Sequence, residues 1–487
     1  MDRGLAWAAP LVGVVVAADL AAGLLRSVEK WNWNDPRLAR GIAMLHGYRL
    51  YPGRDDQASI IGTLHGPVAY LLYACLAFLK DPTMALLAGC GLSCVLYFGA
   101  VLWTICAAAG SGASGRLAGA YGFLACTVLL LNSAGARFSG LTVHVDACAL
   151  CCAMLASGMV AFPGNILSRR ALIASAILAM LSVASKQTMA PVALALPCFV
   201  LVADGKRAFA RYVFVQIMSS IAILAAMLAL FRPAADLFFN TFTLAISLPR
   251  TESVLSRGMQ GISELRGELA AAAAPLVFLL LVFLLDARGV REKLVKHRWL
   301  VFPWIALLQL PVELRAWTTI GGARNHLGVV TLFVVLGTIS GLVVLWRSER
   351  PLLRFTARAM IIGILLVYLA IPWNLRRLLH SIRNNPTQVA YNYDLRHPGR
   401  VYFPLNPLAV LLAEGKLRHF EFALLDRELA GFPVSSAQFD AGLPPSAELI
   451  AYPKREFPRT ALLKNLLRNK TLVTEPGLEG WKVYRLK

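Results

Sequence analysis

A handful of ionisable residues stand where an apolar chain would not place them without a use. Asp35 opens a helix start, Asn34-Asp35-Pro36, inside "WNWNDPRLARGIAMLHGYRLYP" (31–52), directly after the first apolar run, and Glu29 lies still closer to that run. Asp146 follows His144 by two residues at the head of another run, with Arg137 in the same connector. Lys186 and Gln187 interrupt two apolar runs, Arg324, Asn325 and His326 follow Ile320-Gly321-Gly322, and His65 opens "HGPVAYLLYACLAFLK". A carboxylate can take a proton from an attacking hydroxyl, and Arg, Lys, His and Asn can hold a departing phosphate; together they suit transfer of a group away from a phosphate. Arg adds a fixed fork of donors that matches phosphate oxygens. Each also has a plainer use: Asp35 and Asp146 as helix caps, Lys186 as a snorkelling lysine at a tight turn, Glu29 and Arg137 as interfacial or solvated charges.

The elements that must position these residues are membrane helices. The chain has 487 residues, 57% of them hydrophobic and 15% charged, with a mean hydropathy of +0.61. That composition excludes a soluble multidomain protein and predicts a mainly α, polytopic membrane protein. The net charge of +21 does not point to nucleic acid, because the basic residues lie in short connectors and not in one stripe. Arg116, Arg169, Arg170, Lys206, Arg207, Arg288, Arg291, Lys293, Arg347 and Arg350 fall in alternate connectors, which the positive-inside rule assigns to the cytoplasm. The first run is long enough to be a retained span and not a cleaved signal. The run beginning at His65 is too short to cross and is followed by Asp81-Pro82, so it is read as a second interfacial helix beside the one starting at Asp35. This predicts about eleven transmembrane helices, the N-terminus inside and the C-terminus outside. From 375 to 487 Pro, charge and short apolar runs mix; "RVYFP", "ELIAYP" and "WKVYRL" read as strands, and 407–415 and 459–468 as helices, giving a small extracytoplasmic α/β domain after a membrane domain over 1–374. All nine cysteines fall in apolar stretches, which argues for core packing over a disulfide or zinc framework.

The order of these segments resembles the GT-C superfamily of polyprenyl-phosphate-sugar-dependent membrane glycosyltransferases, of the bacterial ArnT/PMT-like type. The resemblance is carried by the acidic residue after the first span, the two surface helices ending "LYP" and beginning "HGPVAYLLYACLAFL", then "ARFSGLTVHVDACALCCAML", "SVASKQTMAPVALALP" and "GGARNHLGVV". It covers roughly residues 5 to 374 by pattern and order, and the family's frequent Asp-Glu pair reads Asn34-Asp35 here. The resemblance implies hexosyl or pentosyl transfer from a polyprenyl-phosphate-linked donor to a glycan, lipid or protein acceptor, on the outer face of the cytoplasmic (inner) membrane and with inversion at the anomeric carbon. It carries the base to Asp35, with Asp146 and Glu29 as alternatives. It makes Arg137, His144, Lys186, Gln187, Arg324, Asn325, His326 and His65 the donor-phosphate or substrate contacts. Membrane lipids are expected partners and nucleic acid is not; no cofactor or metal site is expected, the one option being a divalent cation between Asp35 and Asp146. A polytopic transporter or flippase of envelope precursors is the alternative, although no pair of similar halves is present.

Overall fold

The protein is described by a computed structural model covering residues 2–30, 33–162, 169–251, 253–370 and 385–486. Helix α1 (Asp2–Lys30) rises to a layer made of α2 (Asn34–Leu45) and α3 (Val68–Ala74), the latter continued by a 3-10 turn over Cys75–Phe78. α4 (Pro82–Ala109) starts where Asp81 accepts the Met84 N–H at 2.8 Å and Pro82 occupies the first turn, and it stops at Gly110, whose φ of 65° suits glycine. α5 (Ala113–Asn132) returns to the same end as α2. α6 (Ala134–Leu141) and α7 (Val145–Ala161) form one bent unit, turning 100° at a three-residue break. Then follow α8 (Arg169–Ser185), α9 (Ala190–Asp204), α10 (Lys206–Leu230), the short α11 (Ala234–Phe238) and α12 (Leu244–Ser247), α13 (Val254–Leu284), α14 (Val290–Lys296), α15 (Val301–Trp317), α16 (Asn325–Trp346) and α17 (Pro351–Leu369).

Among the described residues nine helices are long and apolar enough to cross a membrane, and the bent α6–α7 pair makes a tenth. The 17-residue α8 packs against α7 and α10 and is shorter than these spans. The segment Val68–Phe78 is apolar but too short to span, as its reading as an interfacial helix requires. α16 is the most buried of these helices, and α4, α5, α6, α13, α15 and α17 pack against it.

The connectors sort to two ends. At one end Arg298 forks onto Asp204 at 2.9 and 2.7 Å and donates to the Val160 carbonyl, while Arg347 donates to Ala109 at 2.7 Å. The connectors 46–67, 133–144, 186–189 and 318–324 and the C-terminal domain gather at the other.

That domain comprises α18 (Pro386–Arg396), β1 (Val401–Tyr402), α19 (Pro407–Glu414), α20 (Glu421–Leu429), α21 (Ser436–Ala441), β2 (Leu449–Pro453), α22 (Ala461–Leu467), β3 (Leu472–Val473) and β4 (Trp481–Arg485). The sheet order is β1-β2-β4-β3, with β1 parallel to β2 and the other pairs antiparallel. The three strands and two helices expected from the sequence are present; α18, α20, α21 and the two-residue β3 were not anticipated. The boundary expected at 374/375 lies outside the described residues. A hydrophobic cluster joins Leu38, Ile42 and Ile60 of the first connector layer to Tyr402, Leu408 and Phe420 of the domain. The layer over 33–81 is thus a shared floor between bundle and domain.

Candidate active site

The break between α6 and α7 sets the first carboxylate. Ser133 caps α6 by accepting the Ala136 N–H at 3.1 Å, the chain leaves the helix at Thr142, and α7 begins with Asp146 in its first turn. Asp146 is wholly buried. Its Oδ1 lies 2.7 Å from Lys186 Nζ and 3.1 Å from His144 Nδ1; its Oδ2 accepts from Ser139 Oγ and from Asn325 Nδ2, each at 3.0 Å. Four segments converge because glycines let backbones meet. A Cβ on Gly135 would overlap the Arg324 carbonyl and Gly328, so α6 and the start of α16 touch and Asn325 reaches Asp146. A Cβ on Gly66 would overlap the Ala184 carbonyl, which brings the 46–67 connector onto the end of α8 and sets the His65 ring 6.0 Å from that of His144. Burial, and then the neighbouring His144 and Lys186, hold the His65 imidazole well below its ordinary pKa, so it is neutral.

A second carboxylate was not anticipated. Glu313, wholly buried near the end of α15, accepts from Gln309 Nε2 at 2.6 Å on Oε1, and its Oε2 lies 3.0 Å from His326 Nδ1. Gln309 also donates to the Thr188 carbonyl at 2.6 Å, and Gln187 donates to the Leu64 and Thr241 carbonyls. Lys186 stands in the field of both Asp146 and Glu313. A signal was present: Gln309 and Glu313 sit one helical turn apart, with Glu313 at the end of an apolar run, and a carboxylate at that depth is expensive unless it is used.

Beside this network lies a cavity of about 580 Å³, lined by Arg26, Arg137, Phe138, Arg257, Arg324 and Asn325 among others. Arg324 is paired with Glu264 at 3.1 Å, and Arg257 stacks over Trp317 with its guanidinium 4.0 Å from the ring centroid. Among the described residues the Nε groups of Arg26 and Arg257 are buried without a hydrogen-bond partner. Asn325 is common to cavity and network, and Phe138 packs its ring 5.3 Å from that of His144, so the two adjoin. A larger groove of about 980 Å³ lies between α1, α4 and α5 toward the other end; its lining is apolar apart from Ser114 and Arg116.

Of the residues expected at the site, the fold brings Asp146, His144, Lys186 and Asn325 into direct contact, sets His65 and Gln187 on the adjoining wall, ties His326 to Glu313, and gives Arg137 and Arg324 to the cavity. Asp35 is elsewhere. It is buried, and its Oδ1 accepts the Leu408 N–H at 2.8 Å while Oδ2 lies 3.4 Å from Asn406 Nδ2, so it closes the N-terminus of α19 in the C-terminal domain. Its neighbour Asn34 is also committed, accepting the Val143 N–H at 2.9 Å and donating to the Ser27 carbonyl at 2.8 Å. The Glu29 side chain lies outside the described residues. A divalent cation bridging Asp35 and Asp146 does not fit this donor set, since one carboxylate is engaged by Leu408 and Asn406 and the other by an ammonium, an imidazole, a hydroxyl and an amide.

This placement makes a prediction. Burial pushes the Asp35 carboxyl up to about 7 from 3.8, against the opposing effect of its hydrogen bonds. A carboxyl held above its unfolded value keeps its proton better in the fold, so its contribution to stability is present below the unfolded value and is lost as pH rises to about 7, by about 4 kcal/mol in all. Asp35→Asn keeps an acceptor for Leu408 and cannot ionise. The variant is therefore expected to match wild type near pH 4 and to unfold at a higher temperature near pH 8, with its transfer activity intact. A well-folded variant that has lost transfer would return the base to Asp35.

A bundle of apolar helices, an amphipathic connector layer, a buried ion-pair network next to an arginine-lined cavity and a C-terminal α/β domain make up a polytopic membrane protein. No family model and no curated protein matches the chain. Among solved structures, ArnT from Cupriavidus metallidurans bound to undecaprenyl phosphate aligns with a TM-score of 0.56 at 11% identity, covering 97% of this chain and 98% of that one. The apo state of the same protein aligns with a TM-score of 0.56 at 14% identity, covering 99% and 98%. The fold is ArnT-like from end to end; at these identities the likeness is one of fold.

Proposed function

We propose that the chain is a glycosyltransferase that moves a sugar from a polyprenyl-phosphate donor to an envelope acceptor at the outer face of the membrane, with inversion. The observation that carries this reading is the arginine-lined cavity opening beside the Asp146–Lys186 network, at the end of the bundle that also bears the outer domain. Arg26, Arg137, Arg257 and Arg324 are suited to a phosphate whose lipid tail stays in the bilayer. Asp146 fixes Lys186 and Asn325 as a rigid pair of donors beside the His144 imidazole, and rigid donors stabilise charge that grows on a leaving phosphate without reorganising. The basic connectors at the opposite end support an outward-facing site by the positive-inside rule. The undecaprenyl phosphate bound in the ArnT structure supports a carrier lipid of the same class here.

The test is transfer of labelled sugar by the purified protein from a panel of polyprenyl-phosphate donors to envelope extracts. Transfer from at least one donor is expected. Silence across hexosyl and pentosyl donors, from protein that unfolds cooperatively, would favour a transporter.

A further inference from the structure

Resting on the glycosyltransferase reading, we propose that His326, with its Nδ1 held by Glu313, is the group that takes the proton from the acceptor hydroxyl. In the transfer the acceptor oxygen forms a bond to the anomeric carbon, the bond from that carbon to the phosphate oxygen breaks with its electron pair going to the phosphate, and the hydroxyl proton needs a base. The buried carboxylates are poorly placed to be that base. Asp146 has both oxygens occupied, one of them by an ammonium at 2.7 Å, so protonating it would break the Lys186 pair inside an apolar bundle. Asp35 faces Leu408 and Asn406. Glu313 has one oxygen on Gln309 and the other on His326, and is wholly buried.

His326 differs from all three. A carboxylate 3.0 Å from Nδ1 fixes the tautomer with the proton on that nitrogen, and leaves the Nε2 lone pair as the acceptor. Among the described residues Nε2 has no hydrogen-bond partner, and the side chain is 17% exposed where Glu313 is 0%. Consecutive residues of one helical turn then divide the work: Arg324 lines the phosphate cavity, Asn325 joins that cavity to Asp146, and His326 stands on Glu313. Glu313 favours the imidazolium formed on proton uptake, and Lys186, in the field of Glu313 and paired with Asp146, opposes it. Glu313 is a positioning residue, acting through the imidazole.

The experiment is the pH dependence of kcat/KM for sugar transfer by the full-length protein, with His326→Ala, His326→Gln and Glu313→Gln, each checked by thermal unfolding. Wild type is expected to show an acidic limb on which activity falls as His326 is protonated. Both His326 variants are expected to lose about 10²-fold or more and to lose that limb, and added imidazole is expected to restore part of the activity to His326→Ala alone. Glu313→Gln is expected to move the limb to lower pH, since the imidazolium loses its counter-charge. A folded His326→Ala with the wild-type rate and profile overturns the proposal, as does failure of imidazole to rescue it. A wild-type profile with no acidic limb overturns it whatever the variants do. Absence of any transfer by wild type would instead fail the parent reading and this one with it.

Discussion

Asp146→Asn is expected to leave sugar transfer at about one-thousandth of wild type or less, the largest single effect in the protein. Replacing the carboxylate with an amide removes the counter-charge of a wholly buried ammonium, and disturbs an acceptor shared by Ser139 and Asn325. Breaking a buried pair by removing one partner costs about 3–5 kcal/mol, because the remaining charge stays desolvated. The variant should therefore unfold at lower temperature as well as fail in transfer. The two effects separate in the double variant Asp146→Asn with Lys186→Met, which removes the ammonium together with its Asp146 counter-charge. Stability is expected to recover most of its loss there, while transfer stays absent. Measuring unfolding and transfer on wild type, both single variants and the double variant gives the coupling between the two residues directly. Recovery of transfer along with stability would mean that the pair serves the fold and not the reaction.

The pair was legible in the sequence for the same physical reason that makes it sensitive. An Asp or Lys inside an apolar run stands out because burying its charge is expensive, and Asp146 and Lys186 stand out in that way. Arg137, Arg324 and Asn325 were visible as polar residues at the ends of apolar runs, and they line the cavity. Glu313 was visible by the same criterion but fell at the edge of a run, where a charge reads as an interfacial flank. Asp35 shows the limit of local pattern. Asp-Pro after a span predicts a helix start, and α2 does begin there, yet the carboxylate caps a different helix through Leu408, 373 residues along the chain. No periodicity encodes that partner. Arg26 and Arg257 were hidden for a related reason: each reads as a charge flanking a helix, and only the packing of α1 and α13 around the end of α16 turns them inward to one space.

That convergence supports the second large effect. Removing Arg26 and Arg137 together, as Arg26→Met with Arg137→Met, is expected to lower kcat/KM for the lipid-linked donor by about 10²–10³-fold. The chemistry decides how the loss divides. The donor carries one negative charge on a phosphodiester, and the departing polyprenyl phosphate gains a second, so guanidinium groups around it bind the transition state more strongly than the ground state. Both terms should therefore suffer: KM for donor rises as ground-state contacts go, and kcat falls as the growing charge loses its partners. Arg257 and Arg324 are less free to compensate, the first stacked on Trp317 and the second paired with Glu264. Arg137→Lys keeps the charge but not the fork of donors, and should fall between wild type and Arg137→Met. Folding should change little, because the Arg26 Nε is buried without a hydrogen-bond partner and removing it relieves an unmet need. Donor titrations at fixed acceptor read the division between KM and kcat. A double variant with wild-type donor kinetics would take the phosphate out of this cavity, and with it the reason for placing the reaction beside Asp146.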